Sequence, residues 1–194
     1  MIIRTGIIVA TLILSAGWTM AEPFRHSSGE WREYHRDWLA ACPDMINEDA
    51  VDYYGYSCFA STGSEELNSA NLPAYKLTIL RNRLDGQLDV AITMAADDAE
   101  PDLDGTVVLA FGGEAPLRLS FANDLETRYN TTNQFYVVDE AKRTELIERM
   151  KARNAVTMIV PLRGAKNESV RLSLRGVAAS LDFMAAYARK VAQY

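Results

Sequence analysis

From Tyr75 onward the chain alternates apolar and polar positions with a period of two, the mark of strands with one buried face. Tyr75, Leu77 and Ile79 alternate with Lys76 and Thr78. Leu88, Val90, Ile92 and Met94 alternate with Asp89, Ala91 and Thr93. Asp85-Gly86 lies between these runs and suits the positive φ angles of a tight hairpin turn. Further strands are predicted over Thr106–Phe111, Leu117–Phe121, Gln134–Val138, Val156–Val160 and Val170–Leu174. Short strands separated by Gly, Asn and Asp predict a mainly β fold: an antiparallel β-sandwich, jelly-roll-like in its winding.

Two segments break the rhythm and predict helices, one internal and one C-terminal. Asp139 suits an N-cap for a helix reaching about Arg153, with Leu146, Ile147 and Met150 on one side. Glu145 and Arg149 stand one turn apart, and Lys151 and Arg153 suit the negative end of the helix dipole. Asn154 then accepts the left-handed geometry that stops a helix. After Gly176, the residues Val177, Leu181, Met184, Ala188 and Val191 recur every three or four positions, which predicts an amphipathic helix covering a sheet.

The N-terminus has a different character. Arg4, an apolar run from Ile7 to Ala16, and Thr19-Met20-Ala21 describe a signal peptide over residues 1–21, cut after Ala21. The run is shorter than the ~20 apolar residues of a membrane span, and no later segment has spanning length. The chain is therefore expected to be exported, periplasmic or secreted, with residues 22–194 forming one β-rich domain. Residues 22–36 are polar with scattered aromatics and read as a flexible arm. In an oxidising compartment Cys42 and Cys58 most simply form one disulfide.

Composition narrows the chemistry. A net charge of −6 argues against nucleic-acid binding, which needs a basic surface. There is no Gly-x-Ser-x-Gly elbow and no His-Glu-x-x-His pair, so serine-hydrolase and zinc-protease motifs are absent. His26 and His35 read as exposed surface residues, and no cofactor is implied. Glu100, Asp102 and Asp104, followed by Gly105, approximate the start of a calcium loop. Phe111 stands where the loop's closing acid belongs and Pro101 stiffens the segment, so a solubilising loop is the simpler reading. Trp31, Tyr34, Tyr53, Tyr54 and Tyr56 form an aromatic-rich region that suits either a binding surface or core packing, with Trp38 and Phe59 expected beside the disulfide.

The pieces together resemble the invasion-associated locus B family of exported bacterial proteins. They are the leader, Asp37-Trp38 before Cys42, the second cysteine Cys58, and the helix Leu146–Lys151 running into Val156–Val160. The closing stretch, Val170-Arg171-Leu172-Ser173-Leu174-Arg175-Gly176 followed by an Ala-rich helix, is the most characteristic. The family's common second cysteine pair has no counterpart here. The resemblance implies a periplasmic or surface-associated β-rich domain without known enzymatic activity. Export, a disulfide and the missing catalytic constellations point to a non-catalytic domain that binds a protein or an envelope component. Two alternatives remain. One is an inhibitor of an envelope-attacking enzyme such as a lysozyme or protease. The other is a glycan-active hydrolase, which needs two carboxylates about 5 to 9 Å apart across a cleft.

Overall fold

A computed structural model describes residues 22–45 and 57–191, with side chains through Ala188. The leader expected over residues 1–21 lies outside the described residues. Two antiparallel sheets and two helices make up the fold. The larger, eight-stranded sheet begins as a meander: β1 (Phe24–His26), β2 (Glu30–His35), β3 (Trp38–Pro43), β4 (Ser57–Gly63), β5 (Tyr75–Asn82) and β6 (Leu88–Met94). It is completed by β10 (Gln134–Val137) beside β6, and then by β9 (Leu125–Thr127). The four-stranded sheet runs β12 (Glu168–Ser173), β11 (Ala155–Val160), β7 (Thr106–Ala110) and β8 (Leu117–Ser120). The expected antiparallel sandwich is present.

Alternation explains the core. Leu77 and Ile79 of β5, Val90 and Ile92 of β6, and Phe135 and Val137 of β10 point to one side of the larger sheet. They meet Val107, Leu109, Met158 and Leu172 of the smaller sheet in a shared core. Trp38 is fully buried there, and its indole N–H donates to the Ser173 carbonyl at 2.9 Å, tying β3 to the end of β12. Burying its indole removes a large apolar area from water while the one polar atom stays paired.

At the first strands of the larger sheet, the smaller one reaches β3 and β4 with its β12 edge. The main cover there is α2 (Val177–Val191), which packs across β2, β3 and β4. Val177, Phe183, Met184 and Ala188 are buried on its inner side, with Leu181 partly buried beside them. The other helix, α1 (Glu140–Ala152), starts as expected: the Asp139 carboxylate accepts the Lys142 N–H at 2.8 Å. Leu146, Ile147 and Met150 enter the core, and Glu145 pairs with Arg149 one turn on.

Several expectations need correcting. Residues 22–36 are not an arm, because β1 and β2 are paired in full register with the sheet. β3 escapes period-two reading because both faces are apolar, Trp38, Ala40 and Cys42 inward and Leu39 and Ala41 outward. The β5–β6 hairpin exists, but Asn82 pairs with Gln87, so the connection is Arg83–Gly86. Only Gly86 in it has positive φ. Helix α1 ends in extended backbone at Arg153, and Asn154 is not left-handed; its carbonyl instead accepts the Leu174 N–H. His35 is buried rather than exposed.

Candidate functional site

The disulfide lies where β3 and β4 run side by side. The register Leu39↔Ser61, Ala40↔Ala60, Ala41↔Phe59 carries forward to Cys42 and Cys58, which are joined. Both sulfurs sit on the core side in the same cluster as Trp38. Phe59 does not pack beside them. Its side chain belongs to the opposite face, in a smaller apolar cluster with Leu80, Ala91 and Tyr136.

The turn between β2 and β3 is held from the other end of the chain. The Asp37 carboxylate accepts the Ser173 hydroxyl at 2.6 Å and Arg175 Nε at 2.9 Å. These bonds hold its carboxyl below the usual carboxylate range. Gly176, at φ 116°, lies against the same turn, and a Cβ there would stand 1.8 Å from the His35 carbonyl oxygen. Thus Asp37-Trp38 and Ser173-Leu174-Arg175-Gly176, far apart in sequence, form one junction. It joins the hairpin, the end of β12 and the start of α2.

Beside this junction the larger sheet's outward face carries a cavity of about 540 Å³. Its floor follows from register: Leu39 lies opposite Ser61, and Lys76 is flanked by Gly63 and Thr93. Its rim is the loop between β4 and β5. Asn68 shapes that loop by accepting the Ala70 and Leu72 N–H groups on its side-chain oxygen. Its amide nitrogen also donates to the Ala95 carbonyl across the rim. Leu72 and Pro73 form the apolar lip. Gly63 is required for this closure, because a Cβ there would meet the Pro73 ring at 2.4 Å. Asn133 and Tyr34 complete the walls.

Lys76 is the chemical centre of this cavity. Its ammonium makes no hydrogen bond or ion pair with a described residue. Burial alone pushes its pKa down. A second cavity of about 530 Å³ adjoins at Asp37, Thr62 and Gly63 and is lined by Arg171, Arg175 and Glu65. The net-acidic chain therefore gathers Arg36, Lys76, Arg171 and Arg175 around two neighbouring hollows, against Asp37 and Glu65.

The aromatic candidates divide. Trp31 faces α2 and packs against Tyr187 at 5.8 Å, a core contact. Tyr34 points outward, is 53% exposed, and stacks on Phe24 at the cavity's edge. Tyr53, Tyr54 and Tyr56 lie outside the described residues. The calcium reading is overturned. Glu100 pairs with Arg163 at 3.0 Å, and Asp102 caps the Asp104 N–H. Among the described residues no three acid, His or Cys side chains are grouped to hold a metal ion. Lys76, Asn68 and Thr93 were not singled out by sequence, because a lysine at a polar strand position reads as a solvated side chain.

Of the two adjoining hollows, the first carries one carboxylate, Asp37, and the second carries two, Asp37 and Glu65. Asp37 is committed to Arg175 and Ser173, which hold it ionised. A third hollow, about 310 Å³, is lined by Glu140 and Glu148 of α1. They stand about 12 Å apart along the axis of that one helix.

No family model and no curated protein matches the chain. Among solved structures it is similar to invasion associated protein B from Bartonella henselae, with a TM-score of 0.54 and 16% sequence identity. The match covers 81% of this chain and 98% of that one. The likeness is one of fold. It accords with the resemblance drawn from the Asp37-Trp38 and Ser173–Gly176 motifs, whose residues build the junction described above. Among the described residues no helix is long and apolar enough to cross a membrane. The Cys42–Cys58 bond fits an exported protein.

Proposed function

We propose that this chain is an exported, non-catalytic binding domain whose ligand site is the Lys76 cavity on the outward face of the larger sheet. The observation that carries the reading is the cavity itself. It is a preformed hollow of ligand size, mostly apolar, with a few polar groups converging on it, which is the usual make-up of a binding site. Its walls are strands and a hydrogen-bonded loop, so little ordering entropy is lost when a ligand enters. A periplasmic or surface-associated role is supported by the leader expected over residues 1–21, by the disulfide and by the fold likeness to invasion associated protein B. The partner is an envelope component or a protein displaying one.

The test uses purified mature chain with its disulfide intact, incubated with the envelope fraction. Thr93→Trp, which fills the cavity from its floor, serves as the comparison. The reading expects a component retained by the wild-type chain, released by the filled variant, and recovered chemically unchanged. Retention that ignores the Trp side chain, or turnover of an envelope polymer by the purified chain, would contradict it.

A further inference from the structure

The cavity also specifies what kind of ligand it takes. Lys76 emerges from β5 between Gly63, which offers no side chain, and Thr93, which is short. Its ammonium therefore has no neighbouring carboxylate on either adjacent strand at its own level. Asp37, an acid in the wall, is already neutralised by Arg175. The cavity it shares is lined by Leu39, Leu72 and Pro73 on the apolar side and by Asn68, Asn133, Ser61 and Arg36 on the polar side. A half-buried cation beside an apolar wall, with no counter-charge among the described residues, has lost part of its hydration without replacement.

We propose that this cavity binds a small free organic acid, one carboxylate on an apolar body, with the carboxylate against the Lys76 ammonium. The inference rests on the preceding reading of the cavity as the ligand site and adds its chemistry. A lysine is a compact point charge rather than a planar fork, so one headgroup oxygen meeting one ammonium suffices. For the carboxylate's other oxygen the same lining offers the polar side chains of Ser61 and Asn133. The apolar body lies along Leu39, Leu72 and Pro73, and Tyr34 closes the open side. A cationic or neutral ligand of the same shape would leave Lys76 desolvated and unpaired, and this difference gives the selectivity.

The probes are decanoate, decanamide and decylammonium, titrated calorimetrically below their micelle-forming range into the intact mature chain. Decanoate is expected to bind at least about tenfold more tightly than decanamide, with decylammonium weakest. Lys76→Met should remove that preference, and Lys76→Arg should keep most of it. Because Lys76 makes no bond to a described residue, Lys76→Met is expected to fold normally, which its denaturation midpoint checks. The ¹³Cε resonance of Lys76 gives an independent readout: its titration should move to higher pH when decanoate is bound. Equal binding of acid and amide, no binding of either, or an unchanged acid preference in Lys76→Met would overturn the proposal. So would attachment to anionic vesicles without affinity for the free acid. If the acid fails while envelope retention is still blocked by Thr93→Trp, the ligand class falls and the site stands. If Thr93→Trp changes nothing, the site itself falls.

Discussion

Gly176 is a position where a single methyl group decides the geometry. Its backbone has positive φ and presses on the His35 carbonyl, so an added Cβ meets both dihedral strain and backbone collision. Gly176→Ala is expected to cost at least about 2 kcal/mol, read from urea denaturation. Gly113→Ala is the control, since Gly113 also has positive φ but open space around it. Its cost should stay near 1 kcal/mol. Equal losses in the two variants would contradict the close approach. At Asp37, the pair with Arg175 is half in solvent, and a double-mutant cycle should find a coupling of about 0.5–1 kcal/mol. The sign of its pH dependence is fixed. Asp37 titrates lower when folded than unfolded, so its contribution is full above the ordinary carboxylate range and is lost as pH falls through the folded value. A coupling that survives in strong acid would argue against an ion pair.

At the scale of elements, the strands from β5 onward were legible because each has one wet face and one dry face. Helix α1 was legible from Asp139 and its single apolar side. The first strands were hidden for opposite reasons. β3 is apolar on both sides because α2 covers one and neighbouring side chains crowd the other. β4 carries Ser57, Ala60, Ser61 and Thr62, small residues whose burial comes from neighbours rather than from their own apolarity. The arm reading of residues 22–36 failed because Glu33 and His35, polar in sequence, both face inward beneath α2. Burial outweighs the pull of Glu33 and Asp182 and holds His35 below its ordinary range, which favours the neutral imidazole in the folded chain. The unfolded chain then takes up the proton first, and stability should fall as pH drops below that range. His35→Gln should flatten this part of the stability curve, and an unchanged slope would show that another group carries it. Reducing Cys42–Cys58, which spans 16 positions, should cost about 3 kcal/mol by loop-closure entropy. A midpoint that does not move on reduction would contradict that contribution.

At the scale of the molecule, two covers on one long sheet explain why a site can form on its far side. The smaller sheet and α2 cover the inward face, leaving the outward face to be shaped by the loop between β4 and β5. The cavity itself was not legible in the sequence. Gly63 and Pro73 are separated along the chain, and their contact is what turns a strand lysine into the floor of a hollow. The two motifs behind the family resemblance were legible as fragments, yet their purpose appears only where Asp37, Ser173, Arg175 and Gly176 meet. They fix the hairpin that supplies Tyr34 and Leu39 to the cavity wall. The central claim is that this hollow receives the ligand of a non-catalytic exported domain. Amide NMR of the ¹⁵N-labelled mature chain, titrated with envelope extract, tests it most directly. The account predicts shifts concentrated at Leu39, Ser61, Leu72, Lys76 and Thr93, with α1 and β8 unmoved. Shifts centred on α1 or β8, with the Lys76 cavity silent, would contradict it.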